Sequence, residues 1–138
     1  MRDILFRAKR LDAGGAWAEG YFVSSGNGTN EIIPKDSYWD FYEGFYPEYE
    51  VDPDTLGQFT GLTDRNGRKI FEGDIVRFKL LYHHENNRDW VGRVIYRKGA
   101  FQLRADSDMM VDFIMCWDME VIGNIHDDIA LFGGNADE

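Results

Sequence analysis

The sequence predicts a mostly β protein. Its C-terminal half should form a small closed or partly open β-barrel, preceded by an N-terminal β-hairpin region and a short helical or irregular aromatic-rich segment. Three observations predict it. Between Thr55 and His126 five or so short runs with apolar alternation are separated by tight turns, which is what a small, highly curved barrel requires. The steps Gly14-Gly15 and Asn66-Gly67 fall between such runs, and both residues of Asn-Gly tolerate positive φ. The one stretch with helical spacing, Tyr38, Tyr42, Phe45 and Tyr49, is interrupted by Gly44 and Pro47.

The elements follow in order. Ile4-Leu5-Phe6 running into Arg7-Ala8-Lys9-Arg10 reads as a strand that enters a loop at Asp12-Ala13-Gly14-Gly15. Trp17, Tyr21 and Val23 then alternate with Ala18, Gly20 and Phe22, the spacing of a half-buried strand that pairs back on the first. Ser24 to Asn30 is polar and glycine-rich and reads as an exposed loop. Phe59-Thr60-Gly61-Leu62 and Lys69-Ile70-Phe71 flank the Asn66-Gly67 turn. Ile75 to Leu80 is a strand, His83 to Asp89 a polar loop, and Trp90 to Tyr96 a strand that Arg97-Lys98-Gly99-Ala100 turns into Phe101 to Arg104. After Asp106-Ser107-Asp108, an apolar stretch around Val111, Phe113 and Met115 leads to the last strand, Met119 to Ile125. The organisation expected is 1–54 for the hairpin and aromatic-rich variable region, 55–128 for the barrel core, and 129–138 for an acidic tail.

Composition excludes several classes. Hydrophobic residues are 43% and aromatics 15%, enough for a packed core. The net charge of -10 opposes whole-molecule attraction to nucleic-acid phosphate or anionic lipid. No apolar run approaches the roughly 18 residues of a membrane span. Charges in Met1 to Arg7 stand where a signal peptide would be apolar, so a cytoplasmic location is expected. The lone Cys116 precludes an intrachain disulfide or a cysteine-based zinc site. Charge is laid out in blocks: residues 30–64 carry nine acids against Lys35, residues 65–104 carry ten bases against four acids, and residues 105–138 carry nine acids and no base. Either the blocks pair across the fold or the bases form one stripe.

From Val51-Asp52-Pro53-Asp54-Thr55-Leu56-Gly57 through Gln58-Phe59-Thr60-Gly61-Leu62-Thr63-Asp64-Arg65-Asn66-Gly67 to Arg68-Lys69-Ile70-Phe71-Glu72-Gly73-Asp74-Ile75-Val76 the chain closely resembles the central motif of the YopX family. The opening Ile4-Leu5-Phe6-Arg7-Ala8 and the closing Glu120-Val121-Ile122-Gly123-Asn124-Ile125-His126 resemble that family's first and last blocks. The resemblance implies a mostly β fold containing a barrel and a bacteriophage or prophage origin. It implies no activity and carries over no catalytic residue, because the family is one of uncharacterised function. Read physically, Gly61, Gly67 and Gly73 mark sharp bends. Asp64 and Asp74 can accept backbone hydrogen bonds at the Asn66 turn and at a strand entrance, and Thr55 and Thr60 can do the same.

Chemistry is thinly represented. His83-His84-Glu85 sits in a polar loop and His126-Asp127-Asp128 has no established zinc spacing, so no metal site and no cofactor is expected. Asp52/Asp54 and Asp106/Asp108 could hold magnesium for a hydrolase or nuclease, but Asp beside Pro or Ser is ordinary turn chemistry. Cys116, between Met115 and Trp117, reads as an inert core thiol. No catalytic residue is assigned. The leading expectation is a non-enzymatic module that binds a protein partner or itself through Trp39, Phe41, Tyr42, Phe45, Tyr46 and Tyr49. The alternative is nucleic-acid binding by Arg65, Arg68, Lys69, Arg77, Lys79, Arg88, Arg93, Arg97 and Lys98, with Trp90, Tyr96 or Phe101 stacking on bases.

Overall fold

The computed structural model describes residues 4–12, 14–24, 26, 28–35, 49–81, 88–105 and 108–128. Ten strands in two antiparallel sheets account for nearly all its regular structure, which bears out the mostly β expectation. Contacts cluster into two units, Met1–Phe59 and Thr60–Glu138.

The first unit contains β1 (Phe6–Arg10), β2 (Trp17–Ser24), β3 (Asn30–Pro34) and most of β4 (Val51–Thr63), in the order β3-β2-β1-β4. As expected, β1 and β2 form a hairpin, with Phe6 opposite Gly20 and Ala8 opposite Ala18. Gly14 and Gly15 turn it at φ 61° and 90°. The face that packs is the one carrying small residues and Phe22: Ala8, Ile32 and Val51 are buried together with Phe6, Ala18, Phe22 and Leu56 against them. Tyr21 and Val23, on the other face of β2, remain exposed. The ladder between β1 and β4 shifts between Arg7 and Lys9. There the Lys9 amide donates to Thr55 Oγ1 at 2.8 Å, and Thr55 in turn donates to the Asp52 carbonyl at 2.7 Å, so the threonine repairs the bulge. β3 is an element that sequence reasoning missed. It is short and ends in Pro34, so its alternation is hard to detect. An isolated antiparallel bridge pairs Glu31 of β3 with Glu50, just before β4.

Asp52-Pro53-Asp54 belongs to β4 and is not a separate turn. A local turn-like bond persists all the same, the Asp54 amide donating to Asp52 Oδ1 at 3.0 Å. The aromatics Trp39, Phe41, Tyr42, Phe45 and Tyr46 lie outside the described residues, as do His83, His84 and Asp106. Of that group only the half-buried Tyr49 is described.

The second unit holds the end of β4, β5 (Lys69–Phe71), β6 (Asp74–Leu80), β7 (Trp90–Arg97), β8 (Ala100–Ala105), β9 (Met110–Asp112) and β10 (Cys116–Asn124). β4 pairs onward with β5, and the second sheet runs β10-β6-β7-β8-β9. Val76, Phe78 and Leu80 of β6 point to the core while Arg77 and Lys79 point away, the period-two pattern that made this strand legible. Val94, Leu103, Val111 and Val121 complete the core across the sheet, with Ile70 supplied by β5. The β7–β8 turn has both central residues at positive φ, Lys98 at 52° and Gly99 at 84°, which suits the right-handed twist of its strands. Phe113–Met115 form one 3-10 turn, where the sequence reads only as apolar.

Candidate functional site

The motif around Asp64 is built for backbone geometry. Gly61, Gly67 and Gly73 all have φ between 80° and 93°, where a side chain would strain the backbone. Asp64 closes the β4–β5 turn: its amide donates to the Arg68 carbonyl and its own carbonyl receives the Gly67 amide. Its carboxylate does more. Oδ1 accepts the Asn66 and Arg68 amides, each at 2.9 Å, and Oδ2 accepts the Val121 amide of β10 at 2.9 Å. With the Arg65 amide donating to the Met119 carbonyl, the turn is stitched to a strand more than fifty positions later. Asp64 is 7% exposed, and burial alone would raise its pKa. The amides of Val121, Arg68 and Asn66 outweigh burial and hold it below the ordinary 3.8.

Asp74 plays a parallel part. It is fully buried at the entrance to β6, where Oδ2 accepts the Phe71 amide at 2.8 Å. Asn124, its partner across the β6–β10 ladder, caps the end of β10 by accepting the His126 and Asp127 amides through Oδ1. Thr60 Oγ1 donates to the Ile70 carbonyl and accepts the Leu62 amide. Among the described residues no three His, Cys, Asp or Glu side chains gather in a metal-holding group.

Of the two layouts left open, stripe or pairing, three bases of residues 65–104, Arg65, Arg77 and Lys79, meet acids of the last block. Arg65 reaches Asp118 at 3.4 Å and Glu120 at 3.2 Å, Arg77 reaches Glu120 at 2.7 Å, and Lys79 reaches Asp89 at 2.6 Å and Asp118 at 3.5 Å. Asp118 sits at φ 52° where β10 slips register against β6, and this bulge turns its carboxylate toward both bases. Hydrogen bonding to Asp118 raises the Arg65 pKa, and Lys79 and Asp89 shift each other apart, up and down respectively. Arg93 lies opposite Arg104, which is itself bound to Asp108. Arg68, Lys69, Arg97 and Lys98 are exposed, and Arg88 stacks over Trp90 at 3.9 Å.

Beside this charge lattice lies an apolar group that sequence reasoning did not single out. Ile114 on the 3-10 turn is 82% exposed and Trp117 is 41% exposed, and the amide of exposed Leu81 donates a hydrogen bond to the Met115 carbonyl at 2.8 Å. Lys79 stands directly opposite Trp117 in the ladder, its ammonium 5.9 Å from the ring centroid. Cys116, between them, packs toward the core. Burial, aided by the Asp112 carboxylate, pushes its pKa up to about 12, and the thiol donates to the Asp112 carbonyl at 3.5 Å. Iodoacetamide at mildly alkaline pH should therefore label Cys116 at least about a hundredfold more slowly than free cysteine. Labelling at the rate of the free thiol in folded protein would contradict this account.

Comparison with known proteins places the chain among its relatives. The family model described as YopX protein matches residues 5–132. Among solved structures the chain is similar to the crystal structure of protein EF1440 from Enterococcus faecalis, with a TM-score of 0.53 and 25% identity, over 96% of this chain and 99% of that one. Comparison with curated proteins finds no match.

Proposed function

The chain belongs to the YopX protein family, and from that premise we propose that it is a phage or prophage accessory protein that acts in the host cytoplasm by protein contact, without catalysis. The observation that carries this is the exposure of Ile114, Trp117 and Leu81, with Lys79, paired to Asp89 and Asp118, standing against Trp117. An aromatic anchor within a charged rim is the usual anatomy of a contact surface. The polar side chains of the motif are occupied by backbone: Asp64 by three amides, Asp74 and Thr60 by strand-end groups. We also infer that β6–β10 curl into a partly open barrel. Supporting this are β6 pairing with both β7 and β10, and the tight turn that feeds β10.

The test is a pair of variants, Ile114→Asp and Trp117→Ala. Self-association is followed by light scattering during size-exclusion chromatography, and partner capture by pull-down from prophage-induced host cells. The expected result is a complex weakened about thirtyfold or more by either change. A strictly monomeric wild type, together with identical captured proteins from wild type and variants, would sink the reading. A second reading, nucleic-acid binding, has one specific observation in its favour. Tyr96 is exposed and stands edge-on to Phe101 at 5.0 Å, with Arg97 and Lys98 adjoining at the same hairpin. It predicts gel retardation of single-stranded nucleic acid at low salt that Tyr96→Ala abolishes.

A further inference from the structure

We propose that Glu31 and Glu50 form the protein half of a divalent-cation site in the first unit. The two residues face each other in the isolated antiparallel bridge between β3 and the start of β4. Residues opposed in this way carry their side chains on one face, with Cβ atoms about 5 Å apart. Two carboxylates held so close repel unless positive charge lies between them.

The surroundings of Glu31 make that need acute. It is 7% exposed, and its Oε2 is buried with no hydrogen-bond partner. A carboxylate taken out of water is strongly disfavoured unless it is paired or coordinates a metal. The cations of β1 make contacts of their own, the buried Arg7 guanidinium lying 4.7 Å from the Trp17 ring centroid. The Lys9 ammonium lies 5.5 Å from the Trp17 ring centroid, Arg10 is bound to Asp12 at 3.0 Å, and Asp52 Oδ1 accepts the Asp54 amide. Glu50 is only half-buried, so water can reach the outer side of the pair. One buried and one solvent-side carboxylate, with water completing the shell, suits a hard, hydrated ion such as magnesium or manganese. The ion would fasten edge strand β3 to the beginning of β4, a role separate from the contact surface proposed above.

The experiment titrates the full chain with Mn2+ near neutral pH and reads free Mn2+ by its electron paramagnetic resonance signal, with Mg2+ as competitor. Wild type is compared with Glu31→Gln, Glu50→Gln and, as a control for diffuse binding to an acidic protein, Asp12→Asn. The expected result is one saturable Mn2+ equivalent that Mg2+ displaces, unchanged in the control and weakened about tenfold or more in both Gln variants. Absence of saturable binding to wild type, or equal binding by wild type and both Gln variants, would overturn the proposal. If Glu31→Gln does not fold, Glu50→Gln and the pattern of Mn2+ broadening in amide spectra decide. Broadening centred on Val23, Glu31 and Glu50 supports the site, and broadening centred elsewhere removes it.

Discussion

Asp64→Ala should cost about 4 kcal/mol of stability, read as the shift in a urea or thermal unfolding transition. The substitution strands the amides of Asn66, Arg68 and Val121, all of which donate to this one carboxylate. Each amide left without an acceptor in a buried setting costs about 1–3 kcal/mol, and the three are coupled, so the sum is an upper bound. Asp64→Asn is the sharper companion. It can keep one oxygen for the Asn66 and Arg68 amides but turns an NH2 group toward the Val121 amide, so about half the loss should remain. The effect has a pH signature. The folded pKa of Asp64 lies below its ordinary 3.8, so its contribution is fully present above the unfolded value and fades as pH falls through the folded one. The gap between wild type and Asp64→Asn should be widest at neutral pH and should narrow below about pH 4. A gap that stays constant down to strongly acid pH would contradict the assignment.

Gly20→Ala is expected to be nearly as damaging, at about 3 kcal/mol or more. A Cβ on Gly20 would stand 2.1 Å from the Ile33 carbonyl oxygen and 2.8 Å from its carbon. Those are backbone atoms of the paired strand β3, so no rotamer change relieves the overlap and the β2–β3 ladder itself has to move. Loss of hydrogen-exchange protection at Ile32 and Ile33 should accompany the fall in midpoint. Gly26→Ala is the control: a Cβ there meets nothing within 4 Å, and the change should fall within about 0.5 kcal/mol of wild type. Equal behaviour of the two variants would show that the close approach of β2 and β3 is not as described.

Where local chemistry determines structure, the chain is readable. The inward row Val76, Phe78 and Leu80, the Asn66-Gly67 turn and the acceptor role of Asp64 all follow from spacing and residue type. The third donor to Asp64 does not. Val121 is 57 positions away, and no local pattern announces which strand will arrive there. β3 was missed because Ile32-Ile33 is too short to show a period, and Gly20, which admits it, looks like any strand glycine. The exposed apolar group of Ile114 and Trp117 was hidden for a related reason. Trp117 lies in an apolar run that reads as core, and only the 3-10 turn before it and the bulge at Asp118 rotate it outward. The charge blocks were visible, whereas their interleaving through Asp118 and Glu120 depends on β10 lying beside β6. The aromatic segment before Tyr49, on which the sequence reading placed most weight for binding, lies outside the described residues.

The position of β10 in the chain also bears on how the protein is made. Its neighbour β6 emerges from the ribosome some forty residues earlier, and the turn at Asp64 earlier still, so both wait several seconds at ordinary rates of synthesis for the strand that completes them. During that interval one edge of β6 and the flank of Ile70 are open on the nascent chain, where another strand could pair with them. Arg77 and Lys79, alternating along that same edge, are the kind of charged residues that discourage such capture until Glu120 and Asp118 arrive to neutralise them.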